Sequence, residues 1–291
     1  MIRLAILISL LLLTACSLAA QPTVVPASTP ATPTLGPTRL PATPRPVGTV
    51  VPRPTAPAAT PALTPGVPPP ANRALEAIVI TQPLVTAAVV SPVHVEGEAD
   101  PTFEQTLAIH ILDVEGRVVG QGTAHINANV GQRGPYSADI SFNVENEEPG
   151  RIIVYSTSAR DGHTVHLNSV EVKLKPSGSA TPGIAPASTV ESIVIASPAP
   201  GATVTPTLTL SGEAAPTFEQ HLSMLIRDAT GNVIGTGSTT INADAGQRGP
   251  FSLTLTYTTA SAGPGRIVVY DTSPRDGGIV HLASVEVMLS P

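Results

Sequence analysis

The chain has 291 residues, a formal net charge of −6 and only 12% charged residues, with 32 prolines, one cysteine and no tryptophan. No Lys/Arg cluster offers a basic face for a phosphate backbone, which argues against nucleic acid as a partner. A single thiol excludes both an intramolecular disulfide and a cysteine-based metal cage.

The N-terminus reads as an export signal. Arg3 supplies a short positive region, and Leu4 to Leu13 form an apolar run broken only by Ser9. That run falls short of the roughly 20 apolar residues that span a bilayer, but it suits a cleaved signal. It ends in Leu13-Thr14-Ala15-Cys16, which resembles the bacterial lipobox. The resemblance implies cleavage before Cys16, lipidation of its thiol, and an extracytoplasmic protein lipid-anchored to the bacterial cell membrane. The signal peptide is thus 1–15.

Residues 16–76 are dense in Pro, Thr and Ala, with units such as Ala31-Thr32-Pro33 and Ala42-Thr43-Pro44. Proline fixes φ and removes a backbone donor, so neither helix nor sheet propagates. Such a segment buries too little apolar surface to offset its ordering entropy. We expect a disordered stalk reaching up to roughly 180 Å at about 3.1 Å per residue.

From residue 78 the chain repeats itself. Residues 78–174 recur without a gap as 193–289, at a constant offset of 115 and with about half of the paired positions identical. Each copy reads as short β runs between turns. In the first, Ile78–Ile80 and Val93–Val95 are strands. Thr106–Asp113 alternates, with Leu107, Ile109 and Ile111 on one face. A turn at Glu115-Gly116 leads to Val118-Val119, and Thr123–Ile126 follows as a separate run. After the loop Gly131–Pro135, the alternation resumes at Tyr136, Ala138, Ile140 and Phe142. Ile152–Tyr155 looks buried, Ser158–Gly162 turns, and Val165–Leu174 closes the copy. About seven strands per copy, and no helical period, predict an all-β fold: two tandem immunoglobulin-like β-sandwiches after the disordered stalk. The domains are 77–175 and 191–291, joined by a linker over 176–190.

The second copy carries Ser197-Pro198, Gly212-Glu213-Ala214, Phe218-Glu219, Asp228, Gly231, Gly249-Pro250-Phe251-Ser252, Arg275-Asp276-Gly277 and Val285. This order resembles the Gmad-type immunoglobulin-like domain associated with bacterial spore germination. The first copy departs from it at Tyr136 and at Thr81-Gln82-Pro83. The resemblance covers both repeats and implies an immunoglobulin-like sandwich in extracytoplasmic bacterial proteins. It brings no catalytic assignment.

Polar residues kept in both copies mark a shared surface or structural cluster: Glu104, Arg133, Arg160, Asp161 and His166, with Glu219, Arg248, Arg275, Asp276 and His281. The structural reading is a Glu–Arg pair fixing a loop, Glu104 against Arg160 or Arg133. A triad of Ser158, Asp161 and His166 lacks the Gly-x-Ser-x-Gly elbow, and Asp161-Gly162 is itself a turn signal. A metal trio of Asp161, Glu104 and His166 matches no calcium-loop spacing, and one histidine per repeat is poor for zinc. We therefore expect no enzyme, no cofactor and no metal. The expected role is display and binding of a protein or cell-envelope partner. The alternatives are a structural spacer without a ligand, or an envelope hydrolase.

Overall fold

The computed structural model describes residues 74–291. The signal peptide, Cys16 and the stalk up to residue 73 lie outside the described residues.

The first repeat folds as β1 (Ile78–Gln82), β2 (Ala88–Val90), β3 (Val93–Ala99), β4 (Thr106–Leu112), β5 (Val118–His125), β6 (Gly134–Ile140), β7 (Glu148–Thr157) and β8 (Thr164–Lys175). The second follows as β9 (Ile193–Ser197), β10 (Thr203–Val204), β11 (Thr207–Ala214), β12 (His221–Arg227), β13 (Val233–Thr240), β14 (Gly249–Thr256), β15 (Gly263–Thr272) and β16 (Ile279–Leu289). One single-turn 3-10 helix precedes β4 and another precedes β12. No described helix is long and apolar enough to cross a membrane.

Each repeat is a sandwich. In the first, the antiparallel sheet β1-β3-β6 faces β5-β4-β7-β8, and β2 adds a parallel pairing to β8. In the second, β9-β11-β14 faces β13-β12-β15-β16, with β10 parallel to β16. Alternation explains the two layers, because successive side chains point to opposite faces. Thus Leu107, Ile109 and Ile111 lie at 0% exposure among Val95, Ile126, Ile152 and Val154. Leu222, Met224 and Ile226 occupy the same places in the second core, with Leu210, Ile267 and Val269.

Two expectations change in detail. Val118–His125 is one strand rather than two runs. Gly120 and Gly122 interrupt its alternation because an added Cβ would come within 2.8 Å of the Phe142 side chain at the first and 2.5 Å of Ile140 at the second. Ala88–Val90 is an additional short strand.

The repeats do not sit apart. β8 and β16 pair antiparallel at Leu167 and Leu282, so the larger sheets of both sandwiches join into one ten-stranded sheet. Residues 74–76, read from composition as the end of the stalk, also run across the junction. Leu75 bridges Val190, Glu76 N–H donates to Thr189 O (2.9 Å), and Glu191 N–H donates to Ala74 O (3.0 Å). Leu167, Val268 and Leu282 are buried between the sandwiches beside Ile153, Tyr155, Leu225, Tyr270 and Ile279.

Candidate metal centre and the junction around it

Contacts at the junction come in pairs at the repeat offset. Ser169 Oγ donates to Val280 O, and Ser284 Oγ to Val165 O, both at 2.7 Å. The two copies therefore present the same surface to each other about a local pseudo-twofold axis, the self-complementary arrangement of a symmetric dimer interface.

Near this axis four side chains meet. Glu76 precedes β1, Glu191 precedes β9, His166 lies on β8 and His281 on β16. All four are buried, and their ligating atoms lie within 4.8 Å of one another. His166 Nε2 is 2.7 Å from Glu76 Oε1 and 3.8 Å from Glu191 Oε2. His281 Nε2 is 2.8 Å from Glu191 Oε1 and 3.9 Å from Glu76 Oε2. The imidazoles meet edge to face, with centroids 5.2 Å apart.

Each carboxylate is oriented by the opposite module. Ala77 N–H donates to Glu191 Oε2 (3.1 Å) and Ser192 N–H to Glu76 Oε2 (3.2 Å). Burial favours the neutral form of His166. The hydrogen bond that its Nε2–H donates to Glu76 and the field of both glutamates outweigh it and raise the imidazole above its ordinary pKa. Burial pushes Glu191 up, but the bond to His281 and the charge of His166 hold it below the usual carboxylate range.

Beyond this cluster, the junction is tied by two closed rings of charge. Arg151 on β7 is fully buried; its Nε bonds Glu171 Oε1 (2.7 Å), and its Nη2 bonds both oxygens of Asp276 in the other repeat (3.0 and 2.9 Å). Arg275 closes the ring through Glu171 Oε2 (2.7 Å) and Asp276 Oδ2 (3.4 Å). The mirror ring joins Arg266 to Glu286 (2.6 Å) and Asp161 (3.2 Å), with Arg160 bridging Glu286 (2.8 Å) and Asp161 (3.5 Å). Burial pushes Asp276 up, but the Arg151 guanidinium and the Gly278 N–H prevail and hold it at about 2. Asp161 is likewise held below its usual range, burial being outweighed by the His163 N–H and Arg266.

Eight of the ten residues read as a shared polar cluster thus bear on the junction. Arg160, Asp161, Arg275 and Asp276 complete the rings, and His166 and His281 form half of the buried cluster. Arg133 Nη1 donates to the carbonyl of Glu76 (3.1 Å), and Arg248 Nη2 to that of Glu191. The other two lie elsewhere. Glu104 and Glu219 are exposed on the 3-10 turns. Glu104 therefore pairs with neither expected arginine: Arg133 meets Asp100 (2.7 Å) and Glu98 (3.4 Å), and Arg160 meets Glu286 and Asp161. The triad is not assembled, since His166 turns its Nε2 to Glu76 while Asp161 faces Arg266. The trio Asp161, Glu104 and His166 does not converge for the same reasons. Sequence reasoning missed Glu76, Glu191, Arg151, Arg266, Glu171 and Glu286. All six obey the offset of 115, which extends upstream of Ile78 as far as Glu76 and Glu191.

A second feature recurs outside the junction. Pro-Thr-Phe-Glu-Gln stands at 101–105 and again at 216–220. Its Phe103 and Phe218 are 60% and 56% exposed. Glu104 and Gln105 (φ 54° and 53°) and Glu219 and Gln220 (φ 53° and 55°) are left-handed, a conformation costing roughly 1–2 kcal/mol per non-glycine residue. Buried glutamines hold the turn. Gln105 Nε2 donates to the carbonyls of Asn129 and Gln132, and Gln220 Nε2 to those of Asp244 and Gln247.

The family model described as the immunoglobulin-like domain of bacterial spore germination matches residues 77–163 and 192–278. A search of the curated proteins returns no match. Among solved structures, the chain is similar to the titin domains z1z2 in complex with telethonin, at 13% identity over 75% of this chain and 97% of that one, with a TM-score of 0.17. It is similar to red sea bream transglutaminase at 12% identity over 75% of this chain and 32% of that one, with a TM-score of 0.26. It is also similar to the enterotoxigenic E. coli adhesin CfaE at 8% identity over 75% and 84%, with a TM-score of 0.21.

Proposed function

Because the chain belongs to the family of immunoglobulin-like domains of bacterial spore germination, we propose that it is a non-catalytic, lipid-anchored envelope protein whose two modules bind a protein or cell-envelope polymer. Leu13-Thr14-Ala15-Cys16 supports the anchor, and the Pro/Thr-rich stretch after it supports a tether. The observation that carries the binding role is the repeated exposed turn. Phe103 and Phe218 stay in solvent beside left-handed Glu-Gln pairs, each turn is held by a buried glutamine, and the same five residues stand in both copies. Backbone strain at the same exposed turn in both copies marks it as the contact surface of this reading. Two such turns carried on one compact unit favour a partner with repeated or paired epitopes, because the second contact forms at high effective concentration.

The test is binding of the purified chain to envelope fractions, compared with the double variant Phe103→Ala/Phe218→Ala. These rings are mostly exposed, so the variant keeps its fold by circular dichroism. It is expected to lose at least about tenfold in affinity, and each single variant less. Retention of full binding by the double variant would move the contact elsewhere. Absence of binding by the parent chain would leave the spacer reading. Cys16→Ala is expected to shift the protein from the detergent phase to water; a parent chain already in water removes the anchor.

A further inference from the structure

We propose that Glu76, His166, Glu191 and His281 bind one divalent ion of the zinc class, which locks the two modules together at their pseudo-twofold axis. Two carboxylate oxygens and two imidazole nitrogens come from four different segments, two from each repeat. The nitrogen–oxygen separations alternate between 2.7–2.8 and 3.8–3.9 Å. They bracket the roughly 3.3–3.4 Å edge of a tetrahedron whose corners lie about 2.0–2.1 Å from zinc. A shift of about half an ångström per side chain thus converts the paired arrangement into a four-coordinate one.

The charges also balance. Two glutamates carry two negative charges into a buried space, and one divalent ion that takes the place of the imidazole protons cancels them. The backbone amides of Ala77 and Ser192 orient the carboxylates from the opposite module, as outer partners of metal ligands do. Among the described residues the His281 ring makes its hydrogen bond through Nε2, to Glu191 (2.8 Å), and so already turns that nitrogen toward the shared space. The donor set selects the ion. Calcium takes six to eight oxygens and magnesium retains several waters in an octahedral shell, whereas four buried nitrogen and oxygen donors suit zinc. With all four donors from protein, the site is closed and structural rather than catalytic.

The test uses the full chain in detergent, with the Cys16 thiol blocked by its lipid or by alkylation, stripped with chelator and titrated with zinc. One equivalent is expected to bind with a Kd below about 1 μM and to raise the unfolding temperature. Glu76→Gln, Glu191→Gln and His166→Gln are each expected to weaken binding at least about tenfold while circular dichroism stays β. Cobalt(II) in the unmodified chain is expected to give the intense visible bands of a tetrahedral site, a reading that needs no variant. No bound equivalent, weak octahedral cobalt bands, or unchanged affinity in all three variants, which would put the ion on surface histidines, would overturn the proposal.

Discussion

Asp276→Ala removes the carboxylate that crosses from the second repeat to the buried guanidinium of Arg151. Both side chains are at 0% exposure, and two bonds of 3.0 and 2.9 Å are lost. Breaking a buried pair by deleting one partner costs about 3–5 kcal/mol, because the remaining charge is left uncompensated. Here Arg151 keeps its Nε bond to Glu171, whose side chain is 42% exposed, so the lower end of that range applies, about 3 kcal/mol. With an m value of about 2 kcal/mol/M, the urea midpoint falls by about 1.5 M. The matched variant Arg151→Met/Asp276→Leu deletes both charges and is expected to recover most of the loss, since apolar replacement of a whole buried pair is close to neutral. Equilibrium unfolding of the parent, Arg151→Met, Asp276→Leu and the double forms a cycle. A loss below about 0.5 kcal/mol for Asp276→Ala, or strict additivity in the cycle, would refute the claim that this pair is buried between the repeats.

Acid unfolding should report the same carboxylate. Asp276 is held at about 2 against an ordinary 3.8, so its contribution is fully present above about pH 4 and fades as pH falls through about 2. The loss is about 2 kcal/mol, and Asp276→Asn should flatten that part of the stability curve measured by urea titration between pH 5 and 2. Gly97→Ala should fail to fold or lose at least about 3 kcal/mol, because its Cβ would lie 1.8 Å from the Val79 carbonyl and under the Tyr136 ring. Gly212→Ala, with 2.0 Å to Val194 O, should behave alike in thermal unfolding. Tyr136→Phe removes the hydroxyl bond to Val79 O (3.0 Å) and should cost only about 1 kcal/mol, since Phe251 fills the same place in the second copy.

Much of the fold was legible because each sheet buries one face. Alternation in Thr106–Asp113 and in Tyr136–Phe142 marks strands by physics that acts locally. The constant offset doubled every such signal. The left-handed turn at Glu104 and Gln105 was not legible, since neither residue type announces positive φ; what stabilises it is a glutamine side chain reaching carbonyls more than twenty positions away.

The site was half legible. Retention in both copies selected His166, Arg160, Asp161 and their counterparts, but it could not say which copy supplies each partner. Asp161 and Asp276 carry the same neighbours in sequence, so a bond within one repeat and a bond between repeats look identical. Only the packing of β8 against β16 decides that Arg266 takes Asp161 and Arg151 takes Asp276. Glu76 escaped notice because the stalk read from the proline-rich composition was carried at least three residues too far, over 74–76. Its burial depends on pairing with Val190 and Thr189, which composition does not reveal.

Hydrogen exchange of the Glu76 and Glu191 amides tests the joined architecture most directly. Both donate across the junction, to Thr189 and Ala74, and neither has a partner within its own sandwich. Protection within about 1–2 kcal/mol of the global unfolding free energy is predicted for both. Exchange at the rate of an open chain, while core amides of β4 and β12 stay protected, would mean that the two sandwiches fold side by side without this junction.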